Sequence, residues 1–335
     1  MDLQRKLGNW LVKEESITDE RYGKEPDKRS IEEHIKLGVV ILDKPAGPTS
    51  HQVSAWVKDI LHLDKAGHGG TLDPKVTGVL PITLEDATKA VGTLLVGDKE
   101  YVTLMRLHKK VDEKEIRDVF SEFTGEIYQL PPVRSAVKRQ IRKRWIYKMD
   151  ILEIEGNYVL FKVSCEAGTY IRTLCNDIGE VLGVGAQMAE LRRTRTATLT
   201  EDDAVTLHQL KDAYVDWKEH GEEKYIRNVI KPVEVLFAHI PQIVVKDSAV
   251  DAIAHGADVS VKGVVKLHEK ISIGDLVAVM SLKGEGVALG KALMSAKEIL
   301  EKEEGICVNT ERVIMQPGVY PKMWRTHKEK EVKKE

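Results

Sequence analysis

The spacing of apolar residues changes several times along the chain, and each change marks an element. Gly38-Val39-Val40-Ile41-Leu42-Asp43-Lys44 is a β-branched run stopped by Pro45, Gly47 and Pro48, the pattern of a short buried strand. Val53, Trp56, Val57, Ile60 and Leu61 then recur at helical spacing, with Ser50 placed to cap that helix. A glycine-rich loop spans 66–74. Residues 85–96 read as a second helix, 100–108 as a strand and 113–123 as an amphipathic helix. Alternation over 145–154 and 158–166 predicts a hairpin closed at Gly156-Asn157, and Thr169 is placed to cap a helix over 170–181.

Residues 1–36 are polar and irregular, and are expected to form an extension packed on the C-terminal region. Two helical stretches lie within 206–239. After Pro241 the text becomes short β segments parted by glycines, as a small β-barrel requires. Strands and helices follow one another without regular βαβ alternation. The expected fold class is therefore α+β: a core with a mixed or antiparallel sheet, plus a C-terminal barrel. The expected divisions are an extension (1–36), a core (37–235), a barrel (236–322) and a charged tail (323–335).

Composition narrows the function. With 335 residues, 42% hydrophobic and 31% charged, the chain has the balance of a globular protein of about two domains. No apolar run reaches membrane-spanning length, and the mixed-charge N-terminus lacks the apolar centre of a signal peptide, so a cytoplasmic location is expected. Cys165, Cys175 and Cys307 show no CxxC spacing, and the 11 histidines form no HExxH. No metal site is expected.

The net charge is only −2, but its distribution is uneven. Arg134, Lys138, Arg139, Arg142, Lys143, Arg144 and Lys148 follow one another with no acid between them, beside Trp145 and Tyr147. A charge run is usually just a solvated face. Interleaved aromatics and the lack of acids favour RNA contact here. A second cluster, Arg192-Arg193-Thr194-Arg195, comes later.

Gly67-His68-Gly69-Gly70-Thr71-Leu72-Asp73-Pro74 is the most informative stretch. Its glycines permit close backbone approach, and the proline restricts the backbone of Asp73. The loop lacks the GxxxxGK[ST] pattern of a phosphate cradle. By itself it is equally a tight turn.

In context, AGHGGTLDPKVTGVLPITL resembles the signature of the TruB and dyskerin family of pseudouridine synthases. LDKPAGPTSH, KEY, EAGTYIRTL and LRRTR resemble that family's other motifs, in the family's order. The likeness extends from about Ile31 to Trp324 and is strongest to the archaeal box H/ACA ribonucleoprotein branch. The barrel resembles a PUA domain.

The resemblance implies that Asp73 is the catalytic carboxylate, that Arg172 pairs with it and holds it ionised, and that Tyr101 stacks on a flipped uracil. It implies that His68 helps hold the nucleotide extruded and that Lys44 and Pro45 shape the pocket floor. Gly70, Thr71 and Tyr170 stand beside these in the motifs and are expected to contact RNA. In the barrel, Lys246, His255, Gly256 and Lys262 are the expected guide-RNA contacts. The implied reaction needs no cofactor, and the implied partners are a box H/ACA guide RNA, its target RNA and small accessory proteins of Gar, Nop and kink-turn-binding type.

A stand-alone synthase for the tRNA T-loop uridine is the alternative enzyme. A non-catalytic RNA scaffold is the alternative outside enzymes. A zinc deaminase is excluded for want of an HxE…PCxxC arrangement.

Overall fold

The computed structural model describes residues 7–131 and 138–323. Arg134 and nearly all of the charged tail lie outside the described residues.

A 10-stranded mixed sheet forms the larger part. Gly38–Lys44 is buried along almost its whole length and pairs antiparallel with Thr77–Leu84. Thr77–Leu84 in turn meets Ala186–Thr196 in a short parallel pairing at Thr77-Gly78. On its other edge Ala186–Thr196 pairs antiparallel with Lys99–Leu107, which continues the sheet to Tyr158–Cys165 and Arg142–Glu155. The hairpin closes at Gly156-Asn157 with Glu155 opposite Tyr158, as the alternation predicts.

Helix Ser50–Leu61 packs Val53 and Val57 against Leu42, Leu80 and Ile82 from the sheet. Full burial of such side chains stabilises by roughly 1.5–3 kcal/mol each. The cap of this helix is Thr49, whose hydroxyl accepts from Gln52 N, and not Ser50. Helix Ile171–Val181, by contrast, has no side-chain cap. Thr169 Oγ1 donates backwards to Glu166 O, and the Tyr170 N–H is taken by Gln129 Oε1 at 2.9 Å.

The helix expected over 85–96 is not continuous. A 3-10 turn, Glu85–Ala90, is followed by a single turn, Thr93–Val96. Gly92 interrupts them, and Glu85 turns its carboxylate to Asp64 N and Lys65 N, pinning the preceding loop.

A 7-stranded sheet, six of its strands within 242–313, wraps around a separate apolar cluster that includes Ile243, Val277, Val287 and Val308. Trp10–Val12 joins that sheet as an edge strand on Val264–His268, so the N-terminal segment crosses onto the barrel. Among the described residues no helix is long and apolar enough to cross a membrane.

Candidate active site

Asp73 is exposed while its neighbours Leu72 and Val76 are both 4% exposed in the core cluster. The loop is thus anchored by apolar side chains on either side of a carboxylate that faces out. Its backbone is held by polar groups. Ser50 Oγ accepts from Leu72 N and donates to Leu72 O, both at 2.9 Å. Gly47 N donates to Pro74 O, and Val76 N closes a turn on Asp73 O.

The loop carbonyls have no ladder partners, and buried cations take them instead. Lys44 is fully buried and donates to Pro45 O, Pro74 O and Val76 O at 2.9–3.1 Å. Lys44 is therefore the internal staple of the Asp73 turn, and its ammonium is not free to meet RNA. Burial pushes its pKa down, against an opposing pull from Asp73. Arg193, 1% exposed, donates through Nε to Val79 O at 2.8 Å and through Nη2 to Gly70 O at 3.0 Å. Lys99 donates to Leu94 O and Gly97 O, and burial, then Arg193, lowers it to about 8.

Arg172, in the first turn of helix Ile171–Val181, bonds Asp73 Oδ2 across 99 residues of chain. Both side chains are about half exposed. The pairing that the resemblance implies is therefore a surface pair and not a buried one. An exposed pair of this kind stabilises by at most about 1 kcal/mol, so its use is to orient the carboxylate. The turn that presents Arg172 is fixed by buried Gln129, which also donates to Tyr170 O at 3.1 Å.

Tyr101 is 9% exposed and belongs to the core cluster with Met105, Ile146 and Val163. Burial raises its pKa, with Arg193 opposing. It is an embedded ring with a small open surface, less of a free platform than the sequence suggests. His68, half-buried, meets the ring of His51 edge-on at 4.8 Å between centroids. Its pKa is lowered first by burial, then by His51 and Arg193. Pro45 and Thr71 are exposed; Gly70 and Tyr170 are half-buried.

The basic run is not an acid-free field once folded. Lys143 pairs with Glu126 at 3.1 Å, Arg144 with Glu166 at 3.8 Å and Lys148 with Asp150 at 2.6 Å. Lys138 and Arg139 are exposed coil residues, and Arg142 is half-buried at the start of its strand. In the barrel, Lys246 pairs with Glu14 at 2.6 Å and Lys262 with Glu304 at 3.1 Å, so neither is a free cation. His255 Nδ1 lies 2.8 Å from Asp251 O, and exposed Gly256 takes φ +92° at the helix end. Among the described residues no group of three or more His, Cys, Asp or Glu could hold a metal ion.

Sequence reasoning missed Arg193, Lys99 and the Ser50–Leu72 clasp. Arg193 was visible only as part of a basic cluster; its place in a strand of half-buried neighbours was the available signal.

A mixed sheet that carries an arginine-aimed carboxylate and an embedded tyrosine, with a β-rich module appended, is the arrangement expected of an RNA-modifying isomerase of the pseudouridine synthase class. Comparison with known proteins gives the family. The model described as TruB family pseudouridylate synthase (N terminal domain) matches residues 58–171, and the tRNA pseudouridylate synthase B C-terminal domain matches 172–238. A PUA domain matches 241–314 and a DKCLD (NUC011) domain 1–54. A probable tRNA pseudouridine synthase B of Methanopyrus kandleri is 60% identical over 94% of this chain and 93% of its own. That of Methanocaldococcus jannaschii is 57% identical over 95% of each. Among solved structures, a Cbf5-Nop10-Gar1 complex matches with TM-score 0.92 and 56% identity, over 94% of this chain and 96% of that one. An H/ACA RNP bound to a substrate RNA containing 2'-deoxyuridine matches with TM-score 0.89 and 54% identity, over 94% and 97%. The chain belongs to the TruB family of pseudouridine synthases, enzymes that isomerise uridine in RNA.

Proposed function

We propose that this protein converts uridine to pseudouridine in ribosomal RNA under the direction of a box H/ACA guide RNA, as the catalytic subunit of a ribonucleoprotein. The observation that carries the reading is the exposed Asp73 carboxylate, oriented by Arg172 on a loop pinned by Ser50, Lys44 and Arg193. The solved complexes it resembles, with Nop10 and Gar1 in one and substrate RNA in another, support the ribonucleoprotein setting.

In this reading Asp73 attacks the flipped nucleotide at the base or at the ribose anomeric carbon. The N1–C1′ bond breaks, the C5–C1′ bond forms, and the C5 proton is lost as N1 gains one. Arg172 aims the carboxylate. The open surface of Tyr101 meets the base, and His68 with Gly70, Thr71 and Tyr170 lines the extruded nucleotide. Lys44 and Pro45 act from below, through the loop. Lys138, Arg139, Arg142, Lys143 and Arg144 contact RNA backbone, with Lys143 and Arg144 exchanging carboxylates for phosphates. The barrel of 236–322 holds the guide through Lys246, His255, Gly256 and Lys262, the core of 37–235 carries the chemistry, and the extension of 1–36 packs on the C-terminal region. Three buried, unpaired cysteines suit the reducing cytoplasm, where we place the protein.

The name of the archaeal relatives, probable tRNA pseudouridine synthase B, favours a second reading, a tRNA uridine as substrate. The two readings part on guide dependence. Reconstitution with guide, accessory proteins and a matched target should yield pseudouridine only when the guide is present and pairs. Equal modification of tRNA without any guide would transfer the assignment to the second reading.

A further inference from the structure

We propose that Arg193 is a positioning residue for the isomerisation, fixing the Tyr101 ring and the Asp73 loop in one relation. The inference rests on the reading of Asp73 and Tyr101 given above.

Arg193 occupies the joint between the two. Its strand, Ala186–Thr196, runs between the strand that leaves the Asp73 loop and the strand that carries Tyr101. Its cross-strand partners are Gly78 on one side and Tyr101 on the other, the latter beside a register shift between Glu100 and Tyr101. The backbones approach so closely that a Cβ at Gly78 would stand 2.2 Å from Arg193 O; Gly78 also takes φ +99°.

The side chain repeats what the backbone does. Nη2 holds Gly70 O, three residues before Asp73, and Nε holds Val79 O, six residues after it. The same guanidinium interacts favourably with the Tyr101 hydroxyl. One planar group therefore holds both flanks of the catalytic loop from the strand position directly opposite Tyr101.

Packing alone does not account for this residue. Among the described residues no carboxylate lies within ion-pair distance of Arg193, whereas Arg192 beside it pairs with Asp43 and Glu201. A fully buried guanidinium without a counter-ion is costly, and an apolar side chain of similar length would fill the space at less cost. What an apolar chain lacks is a rigid fork with donors in several fixed directions. Lysine, a point donor on a flexible stem, reproduces only part of it.

The test uses the reconstituted ribonucleoprotein under single turnover at saturating target, with target affinity measured separately. Wild type, Arg193→Lys, Arg193→Met, Tyr101→Phe, the Arg193→Lys/Tyr101→Phe double variant and Asp73→Asn are compared, with folding checked by thermal unfolding. Arg193→Met is expected to slow isomerisation about 100-fold, the order of effect of a small misplacement of reacting groups, with target affinity within about 2-fold. Arg193→Lys should lose about 10-fold, shrinking to about 3-fold in the Tyr101→Phe background, because the shared contact is then already gone.

A folded Arg193→Lys or Arg193→Met protein with a rate within about 2-fold of wild type would overturn the inference. So would equal losses in the two Tyr101 backgrounds, or a loss confined to affinity. If Arg193→Met does not fold, Arg193→Lys and the cycle decide alone. Activity retained by Asp73→Asn would instead bring down the underlying reading, whatever the Arg193 variants do.

Discussion

Charge is used differently in the Asp73 region and at the junction of the N-terminal segment with the barrel. Around Asp73, buried Lys44, Lys99 and Arg193 are matched to backbone carbonyls, and the carboxylate is left facing solvent. At the junction, charges cancel one another. Arg29 and Glu234 form a bidentate pair at 6% and 11% exposure and Lys246 meets Glu14; buried Glu285 is the exception, held by Lys24 N, Ser281 Oγ and the Tyr320 hydroxyl. The first arrangement rigidifies an irregular loop and leaves its carboxylate half-exposed, aimed by Arg172. The second fastens two segments and leaves nothing to react. In this molecule the exposed carboxylate stands where buried cations serve the backbone.

The strongest way to break that contrast is Asp73→Asn. Isomerisation should fall by at least about ten-thousandfold, a barrier increase of roughly 5.5 kcal/mol, with the unfolding midpoint unchanged. Residual turnover above that level would remove Asp73 from the centre of the chemistry.

On the other side of the comparison, Arg29→Met leaves Glu234 buried and unpaired. Stability measured by denaturant should drop by about 3–5 kcal/mol, while the single-turnover rate of the folded complex stays at wild type. A loss below about 1 kcal/mol would show that the junction is not held by this pair.

Lys99 sharpens the account of the buried cations through pH. Its folded pKa of about 8 lies below the ordinary 10.5, so the unfolded chain binds more protons between those values. The burial penalty is fully present below pH 8 and is relieved as pH rises. Wild-type stability relative to Lys99→Met should therefore climb by roughly 3 kcal/mol from pH 8 to 10.5. A flat difference across that range would mean that Lys99 titrates normally.

The smallest effect expected is at Tyr101. Phenylalanine keeps the ring, loses only the contact to Arg193 and should fall about 3-fold, whereas leucine should lose in addition a base contact of about 1–3 kcal/mol in single-turnover assays. Equal rates in the two variants would show that the ring does not meet the base.

Much of the fold was legible because its signals are local. The strand Gly38–Lys44 is marked by an apolar run and two prolines, and the hairpin by alternation around Gly156-Asn157. The broken helix at 85–96 was not, since Gly92 weighs little against helical spacing until Glu85 is seen turned to Asp64 and Lys65. In the site, Asp73, Arg172 and Tyr101 were legible only as a family constellation; no local pattern joins residues 99 apart. Pairings across the sheet were the least visible. Lys143 finds Glu126 and Arg144 finds Glu166 from neighbouring segments, so a run without acids in the sequence acquires acids in space. Arg193 was hidden for the same reason: its carbonyl partners lie 114 and 123 residues away in the chain.

The most direct test of the division between reacting and holding regions is one reconstituted complex in which guide-RNA affinity and single-turnover rate are both measured. Asp73→Asn and the double variant Lys246→Glu/Lys262→Glu are compared with wild type across a salt series. Asp73→Asn should lose the rate at unchanged affinity. The barrel variant should lose affinity, by a margin that shrinks as salt rises, while keeping the wild-type rate once guide is saturating. Unchanged affinity in the barrel variant at every salt, or a weakened guide affinity in Asp73→Asn, would contradict the account.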